Sequence, residues 1–460
     1  MNYLDGKIKW LALPLGDIAM LYAALWLTLK LRYGDAFTSA VWDSHILPFT
    51  VLYAVWLFIF YLLELYNPRA AKNDFQSYLL LAKALAICVV VGALFFYLIP
   101  YFKIAPKTNL LLAAVFIFSL LSLWRFLFNK FLAAPFFPRS ILIIGTPNPQ
   151  TLELERYIHS NLQLGYRICG ILDPDAEHIL SKKHEYPNSA FVVACSLHDH
   201  PELSKILFQE VTTFQNQIYD FSAFYEHITH KVPLPHVNEI WFVYNLQKGE
   251  KYLYEKLKRT MDIAAAFVFG FLFLAVFPFA AAAITLDTQG PILYRQTRLG
   301  KHGKPFTLWK FRSMVRNAEN GAALWAQEND SRITRIGNVL RKTYLDELPQ
   351  CINILRGEMS LIGPRPERPE FVHQLEQEIP FYHIRHLIKP GLTGWAQIHF
   401  PYGNSKEGAL EKLQYELYYI KHRSLLVDLK VLLKTFSIVV LKETASCRPQ
   451  NLLFDAPLRT

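Results

Sequence analysis

KRTMDIAAAFVFGFLFLAVFPFAAAAITL, residues Lys258–Leu286, is an apolar run that a basic pair opens and Pro278 interrupts. From Ile263 to Leu286 it is long enough to cross the ~30 Å hydrocarbon layer of a bilayer. A full crossing would put the polar chain on its two sides in different compartments. A proline inside a helix removes one backbone hydrogen bond, costs ~3 kcal/mol and usually kinks it. The second reading is therefore a re-entrant helix that breaks at Pro278, dips into one leaflet and returns, with Lys258 and Arg259 at the membrane entry.

Upstream, four more apolar runs crowd the first 130 residues: Trp10–Leu29, Ile46–Leu65, Tyr78–Ile99 and Asn109–Phe128. Each is near the ~20 residues that a spanning helix needs. Four buried core helices in succession are a poor alternative. The first run lacks the small-residue cleavage pattern of a signal peptide, so it is expected to be retained. Asp17 is expected near a helix end or inside the bundle, and Lys83 to snorkel. Lys7, Lys9, Arg69, Lys72, Arg125, Lys130 and Arg139 on one set of loops outnumber Lys30, Arg32, Lys103 and Lys107 on the other. That balance favours a cytosolic N-terminus, and four spans return the chain to the cytosol near Pro138.

Hydrophobic residues make up 52% of the chain and aromatics 15%, which is high for a soluble protein. The net charge of +10 suits anionic headgroups and phosphates. No basic–aromatic pattern points to nucleic acid. The five cysteines are scattered without a CxxC pair, which argues against a disulfide framework or a zinc site and fits a reducing cytosol.

RSILIIGT (Arg139–Thr146), YRICGILDPD (Tyr166–Asp175) and SAFVVAC (Ser189–Cys195) read as strands separated by helical segments, which predicts a parallel sheet. Gly145 is followed by Thr-Pro-Asn-Pro and not by a dinucleotide fingerprint. Asp173 stands where a ribose-binding acid would, but the phosphate turn is wrong, so a structural or regulatory role is expected.

Downstream, RKTYLDELPQCINILRGEMSLIGPRP (Arg341–Pro366) sets the acid pair Asp346 and Glu347 among arginines. A carboxylate can attack phosphorus, and a second can hold a divalent metal that offsets phosphate charge. Arginine adds planar, bidentate donors for phosphate. The acids are expected on a helix ending before Gly357, where neighbouring side chains diverge by about 100° and so cannot share one task. Arg341 lies a little over one turn before Asp346, and Arg365 sits in an extended GPRP segment; both are expected to clamp phosphate. Of the basic stretch Arg295–Arg312, Lys310 and Arg312 are the phosphate-binding candidates. Histidines His373, His383 and His386 read as surface or interface residues, and Trp395 as packing. Gly391 and Gly394 suggest a tight turn, and Leu410–Leu441 one or two helices that lie on a bilayer or in the core.

KFRSM (Lys310–Met314), LDELPQ (Leu345–Gln350), RGEMSLIGPRP (Arg356–Pro366) and KPGLTGWAQ (Lys389–Gln397) follow one another in that order, with YGNS (Tyr402–Ser405) beyond. From about Lys258 to Leu441 the chain closely resembles the bacterial sugar transferase family, the monotopic polyprenyl-phosphate glycosyl-1-phosphate transferases. Upstream it resembles the long form of that family, including FYEHITHKVPL (Phe224–Leu234) between the two cytosolic parts. The resemblance implies a membrane protein of α and α/β parts. These are a four-span bundle (1–135), a Rossmann-like cytosolic domain (136–250), and a re-entrant helix with a mostly α-helical catalytic domain (251–460).

It also implies Asp346 as nucleophile and Glu347 as ligand of Mg²⁺, with Asp346 as a further candidate ligand. A UDP-sugar would donate a sugar 1-phosphate to polyprenyl (undecaprenyl) phosphate, with release of UMP. Sugar nucleotides are made in the cytosol, so the re-entrant reading is preferred to a fifth span. Phe277 stands where many family members have serine before the break proline. The expected setting is the inner membrane of a bacterium, multi-pass, with a cytosolic active site, the lipid bilayer and polysaccharide-assembly proteins as partners, and a homodimer. Two other readings compete. A membrane-tethered sugar-nucleotide oxidoreductase or dehydratase would need the missing glycine fingerprint and a YxxxK pair. A non-catalytic scaffold of polysaccharide assembly would tolerate loss of the acids and arginines, all of which are present.

Overall fold

The computed structural model describes residues 2–63, 65–66, 73–98, 106–133, 138–161, 164–186, 189–212, 217–246, 252–316, 318, 330–400 and 405–441. They form two compact units, Met1–Phe221 and Ser222–Thr460.

The first unit opens with four apolar helices: α1 (Asn2–Tyr33), α2 (Ser39–Leu62), α3 (Phe75–Leu98) and α4 (Pro106–Phe128). All four are long and apolar enough to cross a membrane. Asp17 is fully buried and pairs with Arg125 of α4, so its place is inside the helical packing. The Trp124 indole also donates to the Leu13 carbonyl, tying α4 to α1. A parallel sheet follows in the order β2–β1–β3–β4, from β1 (Arg139–Ile144), β2 (Tyr166–Leu172), β3 (Ala190–Val193) and β4 (Ile218–Asp220). Helices α5 (Pro149–Ser160), α6 (Ala176–Glu185) and α7 (Pro201–Thr212) connect the strands. Leu142, Ile144, Leu172, Phe191 and Leu207 make its core. The Asn148 side chain accepts from the amides of Gln150 and Thr151, so the residue after the Thr-Pro dipeptide caps α5 with its own oxygen.

The second unit begins upstream of the boundary expected at 250. Helix α8 (Phe221–Thr229), a short turn and α9 (Glu239–Asn245) send Val232, Leu234, Val237 and Phe242 into the same core as Leu413, Leu417 and Val431. Half-buried or buried ion pairs, Lys231–Glu411 (2.7 Å) and Glu226–Lys421 (2.9 Å), seal this segment. The physical reason is that the turn after α8 and Phe242 of α9 bury apolar side chains in this core, while Glu226 of α8 pairs with Lys421. Trp395 belongs to this core too, stacking on Tyr418 and donating to the His230 carbonyl.

Helix α10 (Tyr252–Asp287) follows, then the hairpin β5 (Leu293–Leu299) and β6 (Pro305–Phe311), α11 (Arg335–Lys342), α12 (Cys351–Arg356) and β7 (Ser360–Ile362). The rest is α13 (Pro369–Glu378), β8 (Gly391–Thr393), α14 (Trp395–His399), α15 (Lys406–His422) and α16 (Leu425–Leu441). Helical backbone runs through Pro278, where a break was expected: a proline removes one backbone hydrogen bond, and the bonds on either side keep the helix continuous. The expected tight turn at Gly391 and Gly394 is instead a close backbone crossing. Strand β8 pairs in parallel with β7, and a Cβ on Gly391 would lie 2.1 Å from the Gly363 nitrogen.

Candidate active site

The acid pair sits on a 3₁₀ helix, Leu345–Gln350, that runs into α12; Gly357, at φ 79°, ends α12 in the left-handed conformation. Tyr344, at φ 56°, is strained into that same region and turns the chain from α11 into the acid-bearing helix. With three residues per turn, neighbours on a 3₁₀ helix point about 120° apart. Asp346 is 7% exposed, and Glu347 faces two cations. Lys310 of β6 donates to Glu347 Oε1 at 2.6 Å, and Arg365 donates to the same oxygen at 2.9 Å.

Asn353, fully buried on α12, fixes the distance between this helix and β6. It donates to the Thr307 carbonyl at 2.7 Å and accepts from the Trp309 amide at 3.2 Å. Nothing in the sequence marks Asn353, since a lone asparagine in a helix carries no spacing signal.

The two acids experience opposite environments. Burial pushes the Asp346 carboxyl up to about 6, and the neighbouring Glu347 charge adds to it, against the attraction of Lys310, Arg341 and Arg365. Burial acts on Glu347 in the same sense, but the charges and hydrogen bonds of Arg365 and Lys310 outweigh it and hold that carboxyl well below the usual range.

Four of the six expected site residues outside α10 thus gather: Asp346, Glu347, Lys310 and Arg365. Arg341 joins by a different route from one helical turn. It lies on α11, donates from Nε to Ser313 Oγ at 2.9 Å, and acts on Asp346 through space. Arg312 does not join. Its guanidinium is buried at the end of α10, donating to the Thr288 carbonyl (2.5 Å) and hydroxyl (2.9 Å), where it meets carbonyls that the helix leaves unpaired. It lies one residue beyond the end of β6, so its side chain is not held by the strand that carries Lys310.

The basic pair at the start of α10 is likewise drawn into the protein. Arg259 donates to the carbonyls of Ile354 (2.7 Å) and Leu355 (2.9 Å) at the end of α12. Lys258 pairs at 3.0 Å with Asp428, which is fully buried and also accepts from Tyr254 and Tyr419. Lys258→Met is therefore expected to lower unfolding stability by about 3 kcal/mol, because the Asp428 charge stays buried. Thermal unfolding of the detergent-solubilised protein checks this, and adding Asp428→Asn should recover most of the loss.

Among the described residues no group of three or more His, Cys, Asp or Glu side chains converges as a metal site, His373, His383 and His386 included. The adjacent carboxylates do fit magnesium, which takes one or two carboxylates and completes its shell with water and substrate phosphate. Both cations on Glu347 use its Oε1. Residues Tyr402–Asn404 of the YGNS stretch and Cys447 lie outside the described residues, and the four cysteines described are free thiols.

The family described as Bacterial sugar transferase matches residues 253–442. The chain is 40% identical over 223 residues to the UDP-N-acetylgalactosamine-undecaprenyl-phosphate N-acetylgalactosaminephosphotransferase of Aeromonas hydrophila, covering 48% of this chain and 52% of that protein. It is 42% identical over 181 residues to the UDP-glucose:undecaprenyl-phosphate glucose-1-phosphate transferase of Escherichia coli K12, covering 39% of each. A protein of the same description from Caulobacter vibrioides is 39% identical over 190 residues, covering 41% of this chain and 71% of that protein. The chain thus spans about half the length of the first relative and about two fifths of the second.

Proposed function

Because the chain belongs to the bacterial sugar transferase family, we propose that it transfers a sugar 1-phosphate from a UDP-sugar to undecaprenyl phosphate, by way of a covalent intermediate on Asp346. The observation that carries this reading is the division of labour within the acid pair. Two cations hold Glu347 ionised, while Asp346 beside it is buried and free of a direct salt bridge to either. Carboxylates whose surroundings push their acidities apart are the mark of separate roles at one reacting centre.

In the first step Asp346 attacks the β-phosphorus. An aspartyl–phosphorus bond forms, the bond to the bridging oxygen breaks, and UMP leaves with that oxygen. In the second step an oxygen of undecaprenyl phosphate attacks the same phosphorus, and the Asp346 carboxylate is released. Arg365 and Lys310, both bonded to Glu347, would draw the diphosphate in, and Arg341 would add positive charge on the Asp346 side. Magnesium held by Glu347 and Asp346 would offset the repulsion between carboxylate and diphosphate.

The membrane arrangement we propose is supported by where α10 is tied. Near its start, Asp262 accepts from the Ser360 hydroxyl and the Leu361 amide; at its end, Asp287 accepts from the Ile336 amide. Between them Phe267, Phe271, Leu274 and Phe279 are exposed and apolar. Both ends of the helix are bonded within one unit, which supports entry into a single leaflet with the active site on the cytosolic side and works against a fifth span. We place magnesium dependence, the exopolysaccharide-type pathway, the homodimer and the inner-membrane setting in the same reading.

The test is UMP release from a panel of UDP-sugars, with magnesium and undecaprenyl phosphate. Multiple-turnover release from one donor that depends on magnesium and undecaprenyl phosphate, with at most one equivalent of UMP before the lipid is added, supports the reading and names the sugar. Folded protein that releases UMP from no donor counts against it, in favour of the scaffold.

A further inference from the structure

Arg365 carries a phosphate-facing guanidinium in the proposed site, yet its backbone lies in a stretch, 363–368, with neither helix nor strand. A long side chain on irregular backbone makes a poor clamp unless that backbone is held. Two other arginines hold it. Arg385 is 3% exposed and donates from Nη2 to the Arg365 carbonyl at 2.9 Å. Arg298 donates from Nη1 to the next carbonyl, that of Pro366, at 3.0 Å.

The Arg385 fork is itself fully engaged. It meets Glu416 of α15 in a bidentate pair, Nε to Oε2 at 2.9 Å and Nη2 to Oε1 at 2.8 Å, and donates from Nη1 to the Tyr382 hydroxyl at 2.7 Å. Glu416 is also 3% exposed. The geometry points to Arg385, oriented by Glu416, as a positioning residue that holds Arg365 in register with the acid pair; the inference rests on the phosphate role given to Arg365 above.

Stability alone is a weak reason for such a pair, because desolvation offsets most of the Coulomb gain and apolar residues of similar volume often do as well. An apolar pair cannot supply the donor on the Arg365 carbonyl. Lysine cannot either, since one ammonium does not reproduce a planar fork reaching Glu416, Tyr382 and the carbonyl together. Arg385 reaches the reaction through Arg365, whose guanidinium in turn touches Glu347.

The experiment measures UDP affinity with magnesium by calorimetry, and UMP release from UDP-glucose and UDP-N-acetylgalactosamine with undecaprenyl phosphate. It uses the full chain as wild type, Arg385→Lys, Arg365→Ala, their combination, and Arg385→Met with Glu416→Leu. Arg385→Lys is expected to raise the UDP Kd and the donor KM by about tenfold or more, since a misplacement near 1 Å can cost a hundredfold. In the Arg365→Ala background the same change should add less than about twofold, because the group being positioned is gone.

The apolar double variant, folded with a Tm near wild type, should show the same weakened affinity. Wild-type affinity in Arg385→Lys or in that double variant would overturn the inference. So would losses that multiply with those of Arg365→Ala, which mark an independent structural effect. Wild type that binds UDP but releases UMP from neither donor would sink the transfer reading, and the UDP affinities would still decide the positioning role. Wild type without affinity for UDP overturns both.

Discussion

Asp346→Asn is expected to lower UMP release by about four orders of magnitude or more, the scale seen when a covalent nucleophile is removed. The amide is nearly isosteric and the site already excludes most water from residue 346, so the folded structure should survive the change. Unfolding of the variant would be expected only if the carboxylate held the 3₁₀ helix together, and its neighbours' hydrogen bonds go elsewhere, to Glu347 and Ser313. A pH profile sharpens the prediction. Burial holds the Asp346 carboxyl at about 6, so the nucleophile is protonated below that value and ionised above it. Activity is expected to fall as the pH is lowered through about 6 and to level off on the alkaline side.

Glu347→Gln is the second large effect, with an expected loss of about a thousandfold. The glutamine keeps the volume but loses the charge that Lys310 and Arg365 both meet. Two further consequences separate this role from that of Asp346. The magnesium concentration needed for half-maximal rate should rise, because a carboxylate ligand is gone. The acidic limb of the pH profile should also move to lower pH. Glu347 raises the Asp346 carboxyl while the two cations lower it, so removing the negative neighbour leaves attraction in excess. A limb that stays put while the rate falls would show that the two carboxylates are not electrostatically linked.

The parts of this protein legible in its sequence are those encoded by local periodicity. The apolar runs became α1–α4, and RSILII, YRICGIL and AFVV became parallel strands, because long apolar helices and buried strands each leave a continuous apolar signature. The acid pair and Arg365 were legible because their motifs are contiguous. What was missed depends on distant partners. Nothing within FYEHITHKVPL says that Lys231 will meet Glu411 across 180 residues, which ties this segment to the second compact unit. Arg312 follows Lys310 by two, but the strand ends at Phe311 and its side chain turns to the end of α10. Lys258 and Arg259 read as a basic pair at the membrane entry, and no local signal names their partners, Asp428 and the carboxyl end of α12. The glycines of KPGLTGWAQ mark a backbone crossing with Gly363 that no single stretch records.

The most direct test of the central claim is intact-protein mass spectrometry, followed by peptide mapping, after the protein meets magnesium and a UDP-sugar with no undecaprenyl phosphate. A covalent mechanism predicts a gain of one phosphosugar on the peptide that carries Asp346, discharged when undecaprenyl phosphate is added and absent from Asp346→Asn. Full turnover on later addition of the lipid, with no adduct at any time and none in rapidly quenched samples, would contradict it and indicate direct transfer between the two substrates.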